Sequence, residues 1–303
     1  MLRFSTIIPT YNREKELKEL IGTILKQSLK PDELIIIDDG ELKENFISRI
    51  KEEIESQKIE FIYYKKDHSK ERRGLSESKN IGLNLASNEI VFILDDDLEL
   101  KENFFEEIMK IWEKYRNDEK LIGVGGWIEN LRKKSFFEKI YDKIFGLSSK
   151  IPWDVNDVGF QVWDTSLKEP IKCCYIHGGV GSYKKELMKD LGGFETFSGG
   201  RTALEDVEFC LKAKRKDFYF IINPKAKVIH KHSQTSKEAD YLIGFKESQN
   251  RKIIFKRYCK QDFFHKVWFF WANIGWILRQ FLVGNFEKGW GMLVGFVKKS
   301  EGA

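Results

Sequence analysis

The sequence has few of the features that mark small stapled or exported proteins. Only four of its 303 residues are cysteine, and none shows the Cys-X-X-Cys spacing of zinc and redox sites. The chain runs directly into RFSTIIP (3–9) without a charged and then apolar leader, so we expect no export signal. It also has no internal repeat and no low-complexity linker. These absences favour a globular protein of a reducing compartment, and we predict a cytoplasmic location.

Long hydrophobic runs are missing as well, although the C-terminal part is rich in aromatic residues. Residues 263–296 contain 11 Phe or Trp, yet the longest uncharged run, 267–278, has only 12 residues and is too short to cross a bilayer. Several polar side chains gather on one side of a helix here: His265, Lys266, Asn273, Arg279 and Gln280. We predict an interfacial anchor over 263–297, peripheral on the cytoplasmic face of a membrane. The alternative is a set of helices that fold back on the chain or form a dimer contact.

Negative charge is scarce in one segment. Residues 212–260 contain 14 Lys or Arg and 4 Asp or Glu, a net charge of +10, whereas the whole chain carries +5. Such a segment favours an anionic partner: nucleotide diphosphate, a lipid phosphate or an acidic membrane surface. A solvated basic face is the plain alternative. We do not expect nucleic acid among the partners.

Short apolar runs alternate with helical patterns in the first half of the chain. Strands are predicted at 4–9, 33–38, 59–64, 89–94 and 121–126, and helices near 13–27, 43–56, 75–87 and 101–116. Repeated βα units predict an α/β fold with a mainly parallel, twisted sheet flanked by helices. The polar segments TYNR, DDG and DDD, which follow three of these strands, would then share the edge where such sheets bind ligands.

The second half is less regular. We predict an amphipathic helix within 127–154, a glycine-rich turn at 177–182, a helix with a glycine stop at 183–194 and a further helix from about residue 204. The variable middle also holds three tryptophans that could stack on sugar rings, although core packing is their ordinary role: Trp127, Trp153 and Trp163.

Three consecutive aspartates, residues 95–97, follow a buried apolar run. Adjacent carboxylates repel one another and disfavour one another's ionised forms. One of them could cap the next helix, but three exceed that need. A divalent cation bound to a diphosphate would offset the repulsion, and oxygen ligands suit Mg²⁺ or Mn²⁺.

Six motifs occur in an order and spacing that resemble a family 2 glycosyltransferase of the GT-A fold: STIIPTYNR, IIIDDG, RGLSESKNIGL, EIVFILDDDLEL, LGGFE and LEDVEF. The resemblance covers about residues 4–232. It implies an inverting enzyme that moves a sugar from a nucleotide-diphosphate sugar to an acceptor hydroxyl, in glycan or lipid-linked saccharide synthesis. It also implies a catalytic domain at 1–240, with a nucleotide-sugar half at 1–98 and an acceptor half at 99–240. A C-terminal aromatic helical segment, 241–303, would follow.

By the same resemblance, five residues hold the nucleotide: Thr10, Tyr11, Asn12, Arg13 and Asp39. Asp39 would accept a hydrogen bond from the imide N–H of uracil or thymine, so a UDP-sugar is the expected donor. Turn formation is the alternative role for Asp39. Lys79 stands where the family often has arginine and would approach a phosphate as a point charge. The alternative for Lys79 is an exposed helix lysine.

The aspartate triplet matches the family's DXD motif. The resemblance implies that Asp95, Asp97 and His230 hold Mn²⁺ or Mg²⁺, and that Asp95 and Asp96 also meet the ribose and metal-bound water. His232 could take the place of His230, and either could be an ordinary surface histidine.

Asp206 matches the catalytic aspartate of the family's ED pair. A helical wheel places Asp206 on the flank of the core face and Glu205 nearly opposite that face. By resemblance, Asp206 is the general base that takes the proton of the acceptor hydroxyl. Acidic residues at a helix start are otherwise commonly solvated partners of the helix dipole.

Two other functions fit parts of the pattern. A noncatalytic nucleotide-sugar or divalent-ion binding module would keep the aspartate triplet but would not need Asp206. A sugar-phosphate nucleotidyltransferase usually has a glycine-rich loop after the first strand, and PTYNR (9–13) contains no glycine.

Overall fold

The computed structural model describes residues 2–197, 203–233 and 238–299, and a large sheet organises most of this part of the chain. The strands of the described residues are β1 Phe4–Thr10, β2 Glu33–Asp38, β3 Glu60–Lys65, β4 Ile90–Leu94, β5 Leu98–Leu100, β6 Leu121–Ile128, β7 Asp154–Val155, β8 Gln161–Val162, β9 Ile171–Cys173, β10 Val180–Lys184 and β11 Tyr219–His230. Its helices are α1 Glu14–Ile24, α2 Glu44–Glu55, α3 Leu75–Leu85, α4 Phe104–Lys114, α5 Phe136–Ile144, α6 Lys185–Asp190, α7 Glu205–Arg215, α8 Asp240–Tyr258, α9 Phe263–Leu282 and α10 Phe286–Val297.

The main sheet has the strand order β3-β2-β1-β4-β10-β6-β11-β5, with β9 also paired to β11. Strands β1 to β4 pair in parallel, and β6 pairs in parallel with β11. Strand β10 runs antiparallel to both β4 and β6, so β6 and β11 share the direction of the first four strands. The predicted mainly parallel α/β sheet is therefore confirmed. The carboxyl ends of β1, β2, β4 and β11 meet at one edge.

Helices cover both faces of the sheet. One face packs against α1, α2 and α4, and the other packs against α3, α6 and α7. Strands β1, β2 and β4 are consequently buried along their whole length. This burial on both sides explains why their sequences are nearly continuous apolar runs without alternation.

Strand β10 corrects one prediction from the sequence. This buried strand takes up the end of the turn predicted at 177–182 and the start of the helix predicted at 183–194. Within it, Ser182 pairs with Phe92 and Val124. Glycine and serine hide the strand pattern, but Gly181 is needed because a Cβ there would lie 2.8 Å from the Tyr183 hydroxyl oxygen. Helix α6 is accordingly shorter than predicted. The predicted glycine stop after it is present, with Gly192 at φ +79°.

The C-terminal helices fold back on the rest of the chain. Helices α8 and α10 approach closely at two glycines: a Cβ at Gly291 would lie 2.0 Å from Tyr241 O, and one at Gly244 would lie 2.2 Å from Lys288 O. Helix α9 packs through Phe269 and Ala272 against a cluster that includes Phe160. None of the helices in the described ranges combines the length and apolar character needed to span a bilayer.

Helix α9 is oriented differently from the sequence expectation. Asn273 and Gln280, which were expected on an exposed polar side, are only 2% and 7% exposed and face the protein. The exposed side instead carries apolar residues at helical spacing: Phe263, Phe264, Val267, Phe270, Trp271, Leu278 and Leu282. We call these seven residues the α9 stripe. The buried amides have partners within the protein, since Asn273 Nδ2 donates to Phe269 O at 2.7 Å and Gln280 Oε1 accepts from Asn285 Nδ2 at 3.4 Å.

Candidate active site

Three side chains with metal-ligand atoms meet at the carboxyl edge of the sheet. One oxygen each of Asp95 and Asp97 and one ring nitrogen of His230 lie within 4.8 Å of one another. The aspartates follow β4 and His230 ends β11, so the shared direction of these strands brings them together. This is the set that the sequence analysis selected. Two carboxylates and one imidazole are suitable ligands for a divalent cation such as Mn²⁺.

Asp97 is held in its ionised form. Its Oδ1 lies 3.0 Å from His230 Nε2, and its Oδ2 accepts a hydrogen bond of 2.9 Å from Ser233 N. Burial acts to raise the pKa of Asp97, but these contacts and Arg13 bring it down to about 2. Burial likewise acts to lower the pKa of His230, but the contact with Asp97 raises it overall. The neutral form of the His230 ring is the one that can ligate a cation.

Gly179 gives the Asp95 carboxylate its space. A Cβ at Gly179 would lie 2.1 Å from Asp95 Oδ2, far inside the contact distance of the two atoms. The backbones are also joined, because Asp95 N donates a 3.0 Å hydrogen bond to Gly179 O. Close approach to this carboxylate explains the need for a glycine at position 179.

Asp96 faces away from the metal-ligand group and supports the loop after β1. Thr10 Oγ1 donates to Asp96 Oδ2 at 2.7 Å, and Arg13 pairs with Asp96 Oδ1 at 2.9 Å. Burial raises the pKa of Asp96 to about 6 even though Arg13 and Thr10 act against it. The structure thus joins three of the predicted donor-site residues in one buried contact. A contact of Asp96 with ribose stays a prediction.

The other two loop residues have different surroundings. Asn12 has a left-handed backbone with φ +55°, and its Oδ1 accepts a 2.7 Å hydrogen bond from Glu41 N. Asparagine tolerates this conformation better than most residues. Tyr11 is exposed. The loop is therefore fixed by Asn12 while the ring of Tyr11 stays accessible to a ligand.

Asp39 points into the site because its neighbour Asp38 forms the turn. Asp38 Oδ1 and Oδ2 accept hydrogen bonds from Gly40 N at 2.8 Å and Leu42 N at 3.1 Å. Asp39 instead pairs with Lys66 Nζ at 2.8 Å, and its Oδ2 accepts from Gly74 N at 2.8 Å. The turn role that competed for Asp39 thus belongs to Asp38.

Lys66 was not recognised in the sequence. Its side chain is fully buried, and besides Asp39 its ammonium contacts Arg72 O at 2.6 Å and Ser78 Oγ at 3.2 Å. A buried lysine with three oxygen partners fixes the position of the Asp39 carboxylate. The signal available was the pair of lysines 65 and 66 that follows the strand predicted at 59–64. Polar segments, TYNR and DDG, likewise follow the strands predicted at 4–9 and 33–38.

Lys79 and Glu205 form a buried ion pair. Lys79 Nζ lies 2.9 Å from Glu205 Oε1, and the lysine side chain is only 1% exposed. The alternative of an exposed helix lysine is therefore wrong, and so is the expectation that Glu205 faces away from the core. Burial acts to lower the pKa of Lys79, but Glu205, Asp95 and Asp206 raise it overall. The helical wheel of α7 could not show a partner supplied by α3.

Asp206 is held by neutral donors. Tyr175 Oη donates to Asp206 Oδ2 at 2.9 Å, and Val207 N donates to Asp206 Oδ1 at 2.8 Å. A Cβ at Gly178 would lie 2.8 Å from the Asp206 Cβ. Gly178 therefore contacts Asp206, and its neighbour Gly179 contacts Asp95. These two consecutive glycines lie between the predicted base and the metal-ligand group.

Tyr175 and His177 are site residues that the sequence analysis missed. His177 Nδ1 lies 3.2 Å from Tyr175 Oη, and its Nε2 is shielded from solvent without a hydrogen-bond partner among the described residues. Burial, together with the nearby His230, lowers the pKa of His177 to about 4, so the ring is neutral. The histidine opens the segment HGGVGS, which was interpreted only as a turn.

The three tryptophans divide between core and cavity. Trp127 and Trp153 are buried and pack together with ring centroids 5.7 Å apart, which is their ordinary role. Trp163 is half-buried and lines a cavity. Trp163 is thus the most exposed of the three.

The edge of the sheet combines two chemical functions. A cluster that can hold a divalent cation stands beside a carboxylate, Asp206, that accepts hydrogen bonds from a tyrosine hydroxyl and from backbone N–H groups. The first can stabilise a leaving diphosphate, and the second can accept a proton. Fold and site together are those expected of a glycosyltransferase of the GT-A type.

Comparison with known proteins supports a family 2 glycosyltransferase. Residues 5–142 of the 303 match the model of glycosyl transferase family 2. A glucosyl-dolichyl phosphate glucuronosyltransferase from Haloferax volcanii is 24% identical over 267 residues, covering 84% of this chain and 77% of that protein. Several other glycosyltransferase relatives are longer, and this chain spans 20%, 33% and 34% of three of them.

Solved structures agree on the fold. The mannosyltransferase PcManGT from Pyrobaculum calidifontis, in complex with GDP-Man and Mn²⁺, superposes with a TM-score of 0.59 at 17% identity, covering 93% of this chain and 76% of that one. TarS 1–349 from S. aureus, in complex with UDP-GlcNAc, gives a TM-score of 0.63 at 14% identity, covering 99% and 82%. The predicted GT-A fold is confirmed, and the glycosyltransferase relatives confirm the predicted enzyme class.

Proposed function

We propose that this protein is an inverting glycosyltransferase that moves a sugar from a UDP-sugar to the hydroxyl group of a lipid-linked saccharide. The observation that carries the proposal is the position of Asp206 beside Gly178, next to the Asp95, Asp97 and His230 group. Asp206 accepts the proton of the acceptor hydroxyl while that oxygen attacks the anomeric carbon. The bond from the anomeric carbon to the diphosphate breaks in the same step, on the opposite face of the sugar.

The chain's own residues prepare this step. Tyr175 orients the Asp206 carboxylate through its hydroxyl, and no serine or cysteine nucleophile is required because no covalent intermediate forms. Asp95, Asp97 and His230 would hold Mn²⁺ or Mg²⁺, which when bound neutralises charge on the leaving diphosphate.

The donor site of the proposal is the half formed by residues 1–98. Asp39 accepts the imide N–H of uracil, and the Lys66 ammonium holds that carboxylate in place. Thr10, Asn12 and Arg13 shape the loop around the nucleotide, and Tyr11 offers a ring face to it. Lys79 acts from beneath the site as a fixed positive charge toward the phosphates.

The acceptor side of the proposal comprises residues 99–240. The name of the Haloferax volcanii relative includes a dolichyl phosphate, which is a lipid phosphate, and this supports a lipid-linked acceptor here. Residues 241–303 complete the proposed organisation as a helical segment that meets the membrane.

We propose a peripheral membrane contact through residues 263–297 on the cytoplasmic side. The α9 stripe supports it, because a helix that turns amides inward and phenylalanines outward is suited to an apolar medium. Phe264 is 81% exposed. Lysines 260 and 266 border the stripe, are exposed and have no ion pair within the described ranges, so an anionic bilayer is the complementary surface.

Vesicle flotation tests this contact. Phe264→Glu and Leu282→Glu both change exposed side chains, so the fold should survive, and both should release the protein from vesicles that contain phosphatidylglycerol. Leu85→Glu is the matched control, since Leu85 is exposed on α3. Equal flotation of all four proteins, wild type included, would count against the contact.

The decisive test of the chemistry uses Asp206→Asn. Donor affinity and sugar transfer are measured separately with a panel of nucleotide sugars in the presence of Mn²⁺. We expect the variant to bind UDP-sugar like the wild type and to lose transfer by at least about 100-fold, in line with the loss of a general base. Unchanged transfer by the variant, or the absence of metal-dependent binding of any nucleotide sugar to the wild type, contradicts the proposal.

A further inference from the structure

A basic and aromatic cavity lies on the acceptor side, between α5, β8 and α9. Its volume is about 190 Å³. Three cations and three aromatic side chains dominate its lining: Arg132, Lys134, Arg279, Phe160, Trp163 and Trp276. This composition differs from an ordinary apolar pocket, because cations and aromatic rings line the same small space. It favours a ligand that carries negative charge next to a ring or chain.

The cations exceed the carboxylates that neutralise them. Asp142 is shared by Lys134, at 3.0 Å, and by Arg279, whereas Glu138 pairs with Arg132. Three positive groups thus meet two negative ones. The Arg132 side chain is 72% exposed and can turn toward a ligand without leaving a buried carboxylate unpaired. A phosphate would complete the charge balance of this cavity.

The cavity is linked to the proposed base by three successive contacts. The Trp163 ring lies 5.9 Å from the His177 ring, His177 Nδ1 lies 3.2 Å from Tyr175 Oη, and Tyr175 donates to Asp206. The cavity lining and Asp206 are thus joined by a continuous series of side-chain contacts. The nucleotide site lies elsewhere, because Asp39 and the loop after β1 belong to the other half of the sheet.

The same helices that line the cavity carry the exposed apolar residues. Helix α5 adds four exposed side chains to the α9 stripe: Phe136, Phe137, Ile140 and Ile144. Two hydrogen bonds fix α5 to α9, from Trp271 Nε1 to Ile144 O at 2.8 Å and from Tyr141 Oη to Gly275 O at 2.7 Å. An anionic cavity ligand with an apolar chain would find a matching surface directly beside it.

We propose that this cavity binds the phosphate of the lipid-linked acceptor, a phosphate ester of a long apolar alcohol. The inference rests on the proposed function and specifies its acceptor site. Arg132 and Lys134 contact the phosphate oxygens, while Trp163 and Trp276 pack against the adjoining part of the acceptor. The apolar chain leaves along α5 and α9 toward the bilayer. The site thereby selects acceptors by their phosphate before the hydroxyl reaches Asp206.

Binding of geranylgeranyl phosphate, measured by calorimetry in a neutral detergent, tests the site without turnover. Geranylgeraniol and inorganic phosphate are the two comparison ligands. We expect the phosphate ester to bind at least about tenfold more tightly than either. If geranylgeraniol binds as tightly as the phosphate ester, the proposal is overturned. If inorganic phosphate binds as tightly, the cavity is a site for free phosphate and the proposed lipid ligand is overturned.

Matched variants locate the site. Arg132→Gln should weaken the binding of the phosphate ester by about threefold. The double variant Arg132→Gln/Lys134→Gln should weaken it by at least about tenfold. Lys143→Gln is the control, since Lys143 is an exposed lysine of α5 outside the cavity. Arg132→Gln alone keeps the test valid if the double variant unfolds, because its side chain is largely exposed. Wild-type affinity in Arg132→Gln, or an equal loss in Lys143→Gln, overturns the proposal.

Failure of the cavity and failure of the proposed function give different results. Mn²⁺-dependent hydrolysis of UDP-sugar is measured in the same samples. Intact hydrolysis together with no preference for the phosphate ester overturns the cavity site alone. Absence of hydrolysis and transfer with every donor counts against the proposed function, whereas the calorimetric preference would still establish the cavity as a phosphate site.

Discussion

Lys79 Nζ and Glu205 Oε1 lie 2.9 Å apart in an ion pair buried between α3 and α7, directly beneath the site. The pair ties the predicted nucleotide half to the helix that carries Asp206. Two buried charges depend on each other, because removal of either leaves the other without compensation in a poorly solvated place.

Glu205→Gln is therefore expected to destabilise the fold by about 3 to 5 kcal/mol, the usual cost of breaking a buried pair. Urea denaturation measures the change. Replacing both partners, as Lys79→Met with Glu205→Leu, should recover much of the loss, since no unpaired charge remains. A double variant as unstable as the single one would contradict this explanation.

Tyr175→Phe removes the hydroxyl that orients Asp206 and leaves the ring packing intact. We expect kcat to fall by about tenfold with little change in the KM for donor, which corresponds to about 1.4 kcal/mol for one hydrogen bond to a charged group. Steady-state kinetics at saturating Mn²⁺ measure the effect. A purely structural tyrosine would instead lower stability and leave kcat of the folded fraction unchanged.

Removal of the cation with EDTA should abolish transfer, and addition of Mn²⁺ should restore it. Asp97→Asn and His230→Gln should each weaken Mn²⁺ binding by at least about tenfold, as measured by calorimetry, because each removes a ligand. His232→Gln is the control, since His232 lies next to the group without being a member of it. A larger loss in His232→Gln than in His230→Gln would transfer the ligand role to His232.

Glu247 links the three C-terminal helices and makes their stability depend on pH. Its carboxylate lies 3.1 Å from Arg251, 3.1 Å from Lys288 and 2.7 Å from Trp276 Nε1. Burial acts to raise the pKa of Glu247, but Lys288 and Arg251 lower it overall. The stabilisation is thus fully present above the unfolded value of about 4.3 and is lost as pH falls through the lower folded value.

Glu247→Gln cannot ionise, so it should be less stable than the wild type at pH 7 by about 3 kcal/mol. The difference should shrink as pH falls below about 4. Urea midpoints of both proteins from pH 3 to pH 7 measure it. A difference that is constant over this range would show that the charge of Glu247 does not stabilise the helices.

Much of the site could be predicted because its residues directly follow strands. Asp39, Asp95 and Asp97 come after β2 and β4, and His230 ends β11, so strand direction alone places them at one edge. Tyr175 and His177 could not be found in this way. They precede the antiparallel strand β10, whose glycine and serine hide its pattern, and their partners are distant in the chain.

The C-terminal helices show the same division. Their existence and their inability to span a bilayer followed from the aromatic content and from the length of the uncharged runs. Which side faces outward did not follow, because Asn273 and Gln280 look polar on a helical wheel. In the structure the Asn273 amide donates to a carbonyl of the helix, and the Gln280 amide accepts from the Asn285 side chain. Only packing against α5 and α8 revealed that the α9 stripe is exposed.

The sequence by itself determined the α/β sheet, the edge at which its polar segments gather and the family to which its motifs point, because these depend on local periodicity and on residues at the ends of strands. Tertiary structure alone decided the Lys79–Glu205 pair, the hold of Tyr175 on Asp206 and the outward face of α9. Each of these joins segments that are far apart in the chain. A buried polar side chain needs a partner, so its role depends on which group lies beside it and not on the local sequence pattern.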